Sequence, residues 1–187
     1  IRLYRAIRDR ECEPVTIISD DGRKLYGRYY HVSDDAPLGI CFHGYRSRAF
    51  TDFAGGSEMA FEMGHNLLLV DQRAHGKSEG NTITFGLLER LDLVQWVNYI
   101  TNRFGSDTPI FLYGVSMGAA TVLMASALPL PENVVGIIAD CPYSSPKAVI
   151  QKVCRDMHFP VRLTYPFLRL GARLFGGFSL SDEGAVD

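Results

Sequence analysis

An excess of charge of either sign is missing from this sequence: 19 Lys and Arg stand against 21 Asp and Glu, a formal net charge of -2 over 187 residues. Recognition of a nucleic-acid backbone needs basic residues concentrated on one face, and no such concentration stands out, which argues against a nucleic-acid partner. Long apolar runs are also lacking. Runs such as Leu67 to Val70 and Val134 to Ala139 fall far short of the ~20 residues that cross a bilayer, so no membrane span is expected. Cysteine is scarce: Cys12, Cys41, Cys141 and Cys154 form no C-x-x-C pair and have no histidine at zinc-finger spacing. Cys41 and Cys141 end or follow apolar runs, where a free thiol packs as a small hydrophobe. All four are expected to be reduced and structural, which favours a reducing, cytoplasmic setting. Neither G-x-G-x-x-G nor H-E-x-x-H occurs, which argues against a dinucleotide cofactor and a zinc-protease site. Gly76-Lys77-Ser78 imitates the end of a phosphate-binding loop, but the first glycine of that motif would fall at Asp71. No cofactor and no metal are therefore expected. Because the chain opens on Ile1 and not Met, residues ahead of it are expected, and a signal or anchor among them is left open.

What is present is material for one core: 47% of the residues are hydrophobic and 18 are glycine, the balance of a single globular domain. Arg2, Arg5, Arg8 and Arg10 mark a basic surface helix or arm, residues 1–13. Val15 to Ser19, the turn Asp20-Asp21-Gly22 and the alternating run Lys24 to His31 read as an antiparallel hairpin. Leu38 to Phe42 is apolar throughout, as in strands buried on both faces of a parallel sheet. Three helix-then-strand units follow: Phe53 to Met63 before Leu67 to Asp71, Leu87 to Phe104 before Pro109 to Tyr113, and Met117 to Leu128 before Val134 to Asp140. Such alternation predicts right-handed parallel crossovers, an α/β fold with a mostly parallel sheet and helices on both faces. The core spans 14–144. The segment 145–180 is helical, first over Ser145 to Met157 and then as an amphipathic helix with Pro166 near its start. Leu163, Phe167, Leu170 and Leu174 share one side of it, and Arg162, Arg169 and Arg173 another. Periodicity leaves two readings open, a helix packed on the sheet and a lid over an apolar pocket.

The chemistry concentrates in two loops. After the strand ending at Tyr113 comes Gly114-Val115-Ser116-Met117-Gly118, and a helix follows. In G-x-S-x-G the serine occupies a strained strand-to-helix turn, and side chains at the glycine positions would collide with neighbouring backbone. Ser116 is the candidate catalytic nucleophile. The Met117 N–H, at the helix start, lacks an intrahelical acceptor and can face an oxyanion. The competing reading is an ordinary helix N-cap serine. The second loop is His43-Gly44-Tyr45-Arg46, and the Tyr45 N–H is the candidate second oxyanion donor. His43, Gly44, Gly114 and Gly118 are supporting positions, and His43 is expected to be structural and not the general base.

In these motifs the chain resembles the α/β-hydrolase family, and within it compact bacterial serine hydrolases and esterases. The resemblance spans residue 14 to the end and rests on His43-Gly44, on Asp71-Gln72-Arg73-Ala74-His75-Gly76-Lys77-Ser78 and on the Ser116 elbow. The second block matches the family's D-x-R-G-H-G-x-S turn, with Ala74 where glycine is usual. The resemblance implies a catalytic acid and histidine after a seventh and an eighth strand, and neither strand is visible, so the chain is expected to be truncated and inactive alone. His158, the sole histidine after Ser116, reads as a surface or lid residue, and Asp140 as structural. The implied function is hydrolysis of carboxylic esters of neutral acyl groups through an acyl-enzyme; the alternative is an inactive binding or scaffold protein. Neutral acyl preference follows if the Leu163 to Leu174 stripe overlies the site. Thioester, amide and acyl-transfer chemistry stay open, as does the oligomeric state.

Overall fold

In the structure of the protein, a computed structural model, residues 2–180 are described. Six strands form one sheet in the order β1-β2-β4-β3-β5-β6: β1 Glu13–Ile18, β2 Lys24–Tyr30, β3 Leu38–Phe42, β4 Asn66–Asp71, β5 Ile110–Val115 and β6 Val134–Asp140. β2 is antiparallel to both β1 and β4, while β3, β4, β5 and β6 are mutually parallel. This is the expected hairpin feeding a parallel sheet. The apolar runs explain the order: every residue of β3 and β4 is buried, as central strands require, whereas β1 alternates exposed and buried residues and lies at an edge.

The helices divide between the two faces. α4 (Glu89–Phe104) and α5 (Met117–Ala125) cover one face, where α4 presents Leu93, Trp96, Val97 and Ile100 at helical spacing to Ile40, Phe42, Leu68 and Leu112. α1 (Arg2–Asp9), α2 (Ala49–Asp52) and α3 (Ala54–Glu62) cover the other, around Tyr30, Cys41, Phe50 and Leu69. The basic N-terminal segment is thus a docked helix: Ile7 is buried and its carbonyl accepts the Tyr30 hydroxyl at 3.2 Å. Two local differences from the sequence reading appear on these faces. The helix expected from Phe53 is preceded by the short α2, and α5 stops at Ala125, before Leu128.

All four cysteines are free, as expected, but Cys141 is exposed and not a buried hydrophobe. It leaves β6 in the left-handed region (φ 55°), which turns its thiol outward to donate to the Asp140 carboxylate at 3.2 Å. The helical segment is α6 (Pro146–Asp156) and α7 (Val161–Gly171), continued by a π-helical turn over Ala172–Gly176. Ser145 caps α6 by accepting the Ala148 N–H. Neither reading of the amphipathic stripe describes α7. Leu163, Phe167, Leu170 and Leu174 are exposed, neither packed on the sheet nor closed over a pocket.

Candidate active site

Because β3 and β5 are adjacent, pairing Phe42 with Gly114, the loops that leave their C-terminal ends meet. A chain reversal lies here: β3 connects outward to β4 on one side, and β4 returns past β3 to β5 on the other. Open α/β sheets form a crevice at such a point.

Ser116 sits in that crevice at φ 52°, ψ -109°, a strained conformation for a residue with a Cβ. Its neighbours hold it there. The Ser116 N–H donates to the Asp140 carbonyl at 2.8 Å, and its carbonyl accepts the Ala120 N–H at 3.0 Å. The two motif glycines are sterically required, since a Cβ on Gly118 would overlap the Phe42 carbonyl and one on Gly114 would overlap the Gly118 carbonyl. Close approach of α5 to β3 therefore depends on both. Ser116 is exposed, and its hydroxyl caps no helix N–H, so the N-cap reading does not hold.

The facing loop is braced at every amide but one. The Gly44 N–H donates to Asp52 Oδ2 at 2.7 Å, the Arg46 N–H to His75 Nε2 at 3.0 Å and the Ser47 N–H to the Gly44 carbonyl at 3.3 Å. Within Gly44–Ser47, Tyr45 alone has an N–H without an acceptor among the described residues. A Cβ on Gly44 would lie 3.4 Å from the Ser116 Cβ, so this loop lies directly against the serine. Asp52 also accepts the Ser47 hydroxyl through Oδ1 at 2.5 Å. Sequence reasoning missed Asp52 as a brace, since an Asp in a helical stretch carries no signal of a bond to a loop eight residues earlier.

Both histidines of this face are committed to scaffolding. His43 is fully buried; its Nδ1 donates to the Gly44 carbonyl at 2.7 Å and its Nε2 accepts the Gln72 N–H at 3.1 Å. Burial lowers its pKa and keeps the ring neutral. Gln72 closes the network by donating to the His43 carbonyl and meeting the Thr121 hydroxyl of α5. His75 Nδ1 donates to the Arg73 carbonyl at 2.9 Å while its Nε2 holds the Arg46 N–H. Neither ring has a nitrogen free to take a proton from Ser116. His158 is exposed between α6 and α7, and Asp140 meets only Cys141 through its carboxylate among the described side chains.

The block from Asp71 to Ser78 is filled by its own carboxylate. Asp71 Oδ2 accepts the Lys77 N–H at 3.0 Å, and a Cβ on Gly76 (φ 57°) would overlap that carboxylate, so the turn that imitates a phosphate loop holds no room for an anion. Ala74, in the glycine position of the motif, has φ 59°. Arg73 is buried and forms a two-bond ion pair with buried Asp92 of α4, both contacts at 2.6 Å, with Asp21 of the hairpin turn at 3.2 Å beyond. Asp92 and Asp21 raise the guanidinium pKa against the opposing effect of burial, which keeps the charge in place. Arg73 thereby ties hairpin, turn and α4 together. At the mouth of the crevice Phe85 stacks on Tyr45, ring centroids 5.7 Å apart. Phe85 is held by Glu89, whose buried carboxylate accepts the Thr84 N–H, the Thr84 hydroxyl and the Gly86 N–H.

Residues 40–184 match the family model described as serine aminopeptidase, S33, also termed Hydrolase_4. The chain belongs to this family of α/β-hydrolases. The Pyrococcus furiosus esterase Pf2001 is similar in structure, with a TM-score of 0.70 at 27% identity over 97% of this chain and 69% of its own. Est1E from Butyrivibrio proteoclasticus, solved with ferulic acid bound, aligns with a TM-score of 0.62 at 25% identity over 76% of this chain and 56% of its own. In sequence, the uncharacterized protein YqkD of Bacillus subtilis is 35% identical over 83 residues, 44% of this chain and 27% of that relative. The match thus spans about a quarter of that relative's length.

Proposed function

We propose that the protein is a serine hydrolase acting on carboxylic esters of neutral acyl groups, with Ser116 as nucleophile. The observation that carries this reading is the strained, exposed and uncapped Ser116 hydroxyl beside a loop in which the Tyr45 N–H alone lacks a partner among the described residues. The Ser116 Oγ attacks the ester carbonyl and its proton passes to a histidine contributed from beyond Asp187, since His43 and His75 have no free nitrogen and His158 lies exposed between α6 and α7. Negative charge on the carbonyl oxygen is met by the Tyr45 and Met117 N–H groups, both held before reaction begins. The C–O bond then breaks, the alcohol leaves with the proton returned by the histidinium, and water hydrolyses the acyl-enzyme through the same steps.

The apolar stripe of α7, exposed on the surface, lends no support to the acyl preference. The Tyr45–Phe85 pair at the mouth supports it instead, as an aromatic wall without fixed charge. A fluorophosphonate should label the full-length protein at Ser116 and fail to label Ser116→Ala. Undiminished labelling of Ser116→Ala overturns the reading, and so does an unlabelled wild-type protein that is correctly folded.

A further inference from the structure

The α7 segment presents an apolar surface that the site does not use. Leu163 is 67% exposed, Phe167 76%, Leu170 53%, Leu174 66% and Phe175 90%, and no residue of α7 is buried. Placing this much apolar surface in water is unfavourable by the hydrophobic effect alone, and contiguous patches of this kind mark interaction sites.

The flanking charge identifies the partner. From Met157 to Leu180 the chain carries Arg162, Arg169 and Arg173 and not one Asp or Glu. None of the three arginines has an ion-pair partner among the described residues. At 3.6 residues per turn, Leu163, Phe167 and Leu170 project within about 60° of one another, and the arginines form a row about 110° away. Half-buried Val161, Thr164 and Tyr165 face the protein. The outward side of the helix thus lies between the apolar stripe and the arginine row, and a flat surface laid there meets both. Leucine and phenylalanine entering an apolar layer beside arginines that stay at its anionic boundary is the pattern of an interfacial helix. A second copy of this chain would bring three more arginines against these three, and a protein groove would need acidic walls on one side only.

We propose that α7 and its π-helical extension dock the protein on an anionic phospholipid bilayer, lying in the interface without crossing it. The extension touches the Ser116 side of the molecule: a Cβ on Gly176 would lie 3.5 Å from the Thr82 methyl, in the loop that carries Phe85. Docking here sets the crevice beside the lipid surface.

The test is flotation of the full-length protein with vesicles of phosphatidylcholine, with and without added phosphatidylglycerol. Binding is expected only with phosphatidylglycerol and should weaken with salt. Phe167→Asp should lower the apparent affinity at least about tenfold, and each of Arg162→Gln, Arg169→Gln and Arg173→Gln about fivefold. Exposed Phe167 should tolerate substitution with an unchanged melting midpoint. Ser116→Ala should bind vesicles as the wild type does, so docking and the hydrolase reading fail separately. Equal binding to neutral vesicles, no binding to either, or binding indifferent to Phe167→Asp overturns the proposal. A dimer dispersed by Phe167→Asp would instead assign the face to a second copy. A Phe167→Cys thiol closed to maleimide in the full-length protein would assign it to the rest of the chain. Either result also overturns the proposal.

Discussion

Replacing Asp52 with alanine removes the acceptor of two bonds, from the Gly44 N–H at 2.7 Å and the Ser47 hydroxyl at 2.5 Å. The hydroxyl can turn to water, but the Gly44 amide sits in a buried glycine packed against Ser116. Leaving such a donor unpaired costs about 1–3 kcal/mol. That is the expected loss of stability on chemical denaturation. The effect on chemistry is separate. Tyr45 lies between two anchored amides, Gly44 on Asp52 and Arg46 on His75, and releasing one anchor lets the Tyr45 N–H swing. Removing an oxyanion donor outright lowers kcat by roughly 10² to 10³, so misaiming one should lower it by about tenfold to a hundredfold, with KM nearly unchanged because the bond forms in the transition state. Asp52→Asn is the control. Its amide oxygen can accept the Gly44 N–H while its NH₂ donates to the Ser47 hydroxyl, so the geometry survives and only the charge is lost. The assay is steady-state hydrolysis of a short p-nitrophenyl ester by the full-length protein, with fluorophosphonate labelling rates alongside. Unchanged kcat in Asp52→Ala, or equal damage from Asp52→Asn, would refute the brace.

Ala74→Gly should raise stability by about 0.5–1 kcal/mol, because it relieves a left-handed alanine (φ 59°) at some cost in unfolded-chain entropy; an unchanged denaturation midpoint would contradict the backbone argument. Gly118→Ala should destabilise by about 3 kcal/mol or more, since its methyl meets the Phe42 carbonyl, whereas Gly56→Ala in α3, where the methyl meets nothing within 4 Å, should stabilise by about 0.5–1 kcal/mol. Paired melts that rank these two the other way would show the close approach to be absent. The Ser19 hydroxyl, with Arg73 and Arg23, holds the Asp21 carboxyl down at about 2 against an ordinary 3.8. A depressed acid stabilises the fold above its unfolded pKa and loses that contribution as pH falls through the folded value. The melting difference between wild type and Asp21→Asn should therefore be full near pH 5 and shrink toward pH 2; a constant difference would place the effect elsewhere.

The amino-acid order by itself determined what depends on neighbours a few residues away. Continuous apolar runs at Leu38–Phe42 and Leu67–Val70 specify strands covered on both faces, and these are the central parallel strands. Gly114-Val115-Ser116-Met117-Gly118 specifies the elbow, because glycine spacing reports where backbones approach. His43 could be set aside as a base because it belongs to the loop that precedes the serine, although its two hydrogen bonds are visible only in the fold.

Only the tertiary structure decided matters carried by contacts distant in sequence. Asp52 from α2, and Gln72 and His75 from the turn after β4, brace the loop beside Ser116, and none of them lies in the motif of the nucleophile. Cys141 follows an apolar strand, yet its positive φ turns the thiol outward, which hydropathy does not register. The same limit governs α7. A helical period records that one face is apolar, and the free energy of that face depends on what lies against it, which is a property of the assembled fold and its surroundings and not of the helix.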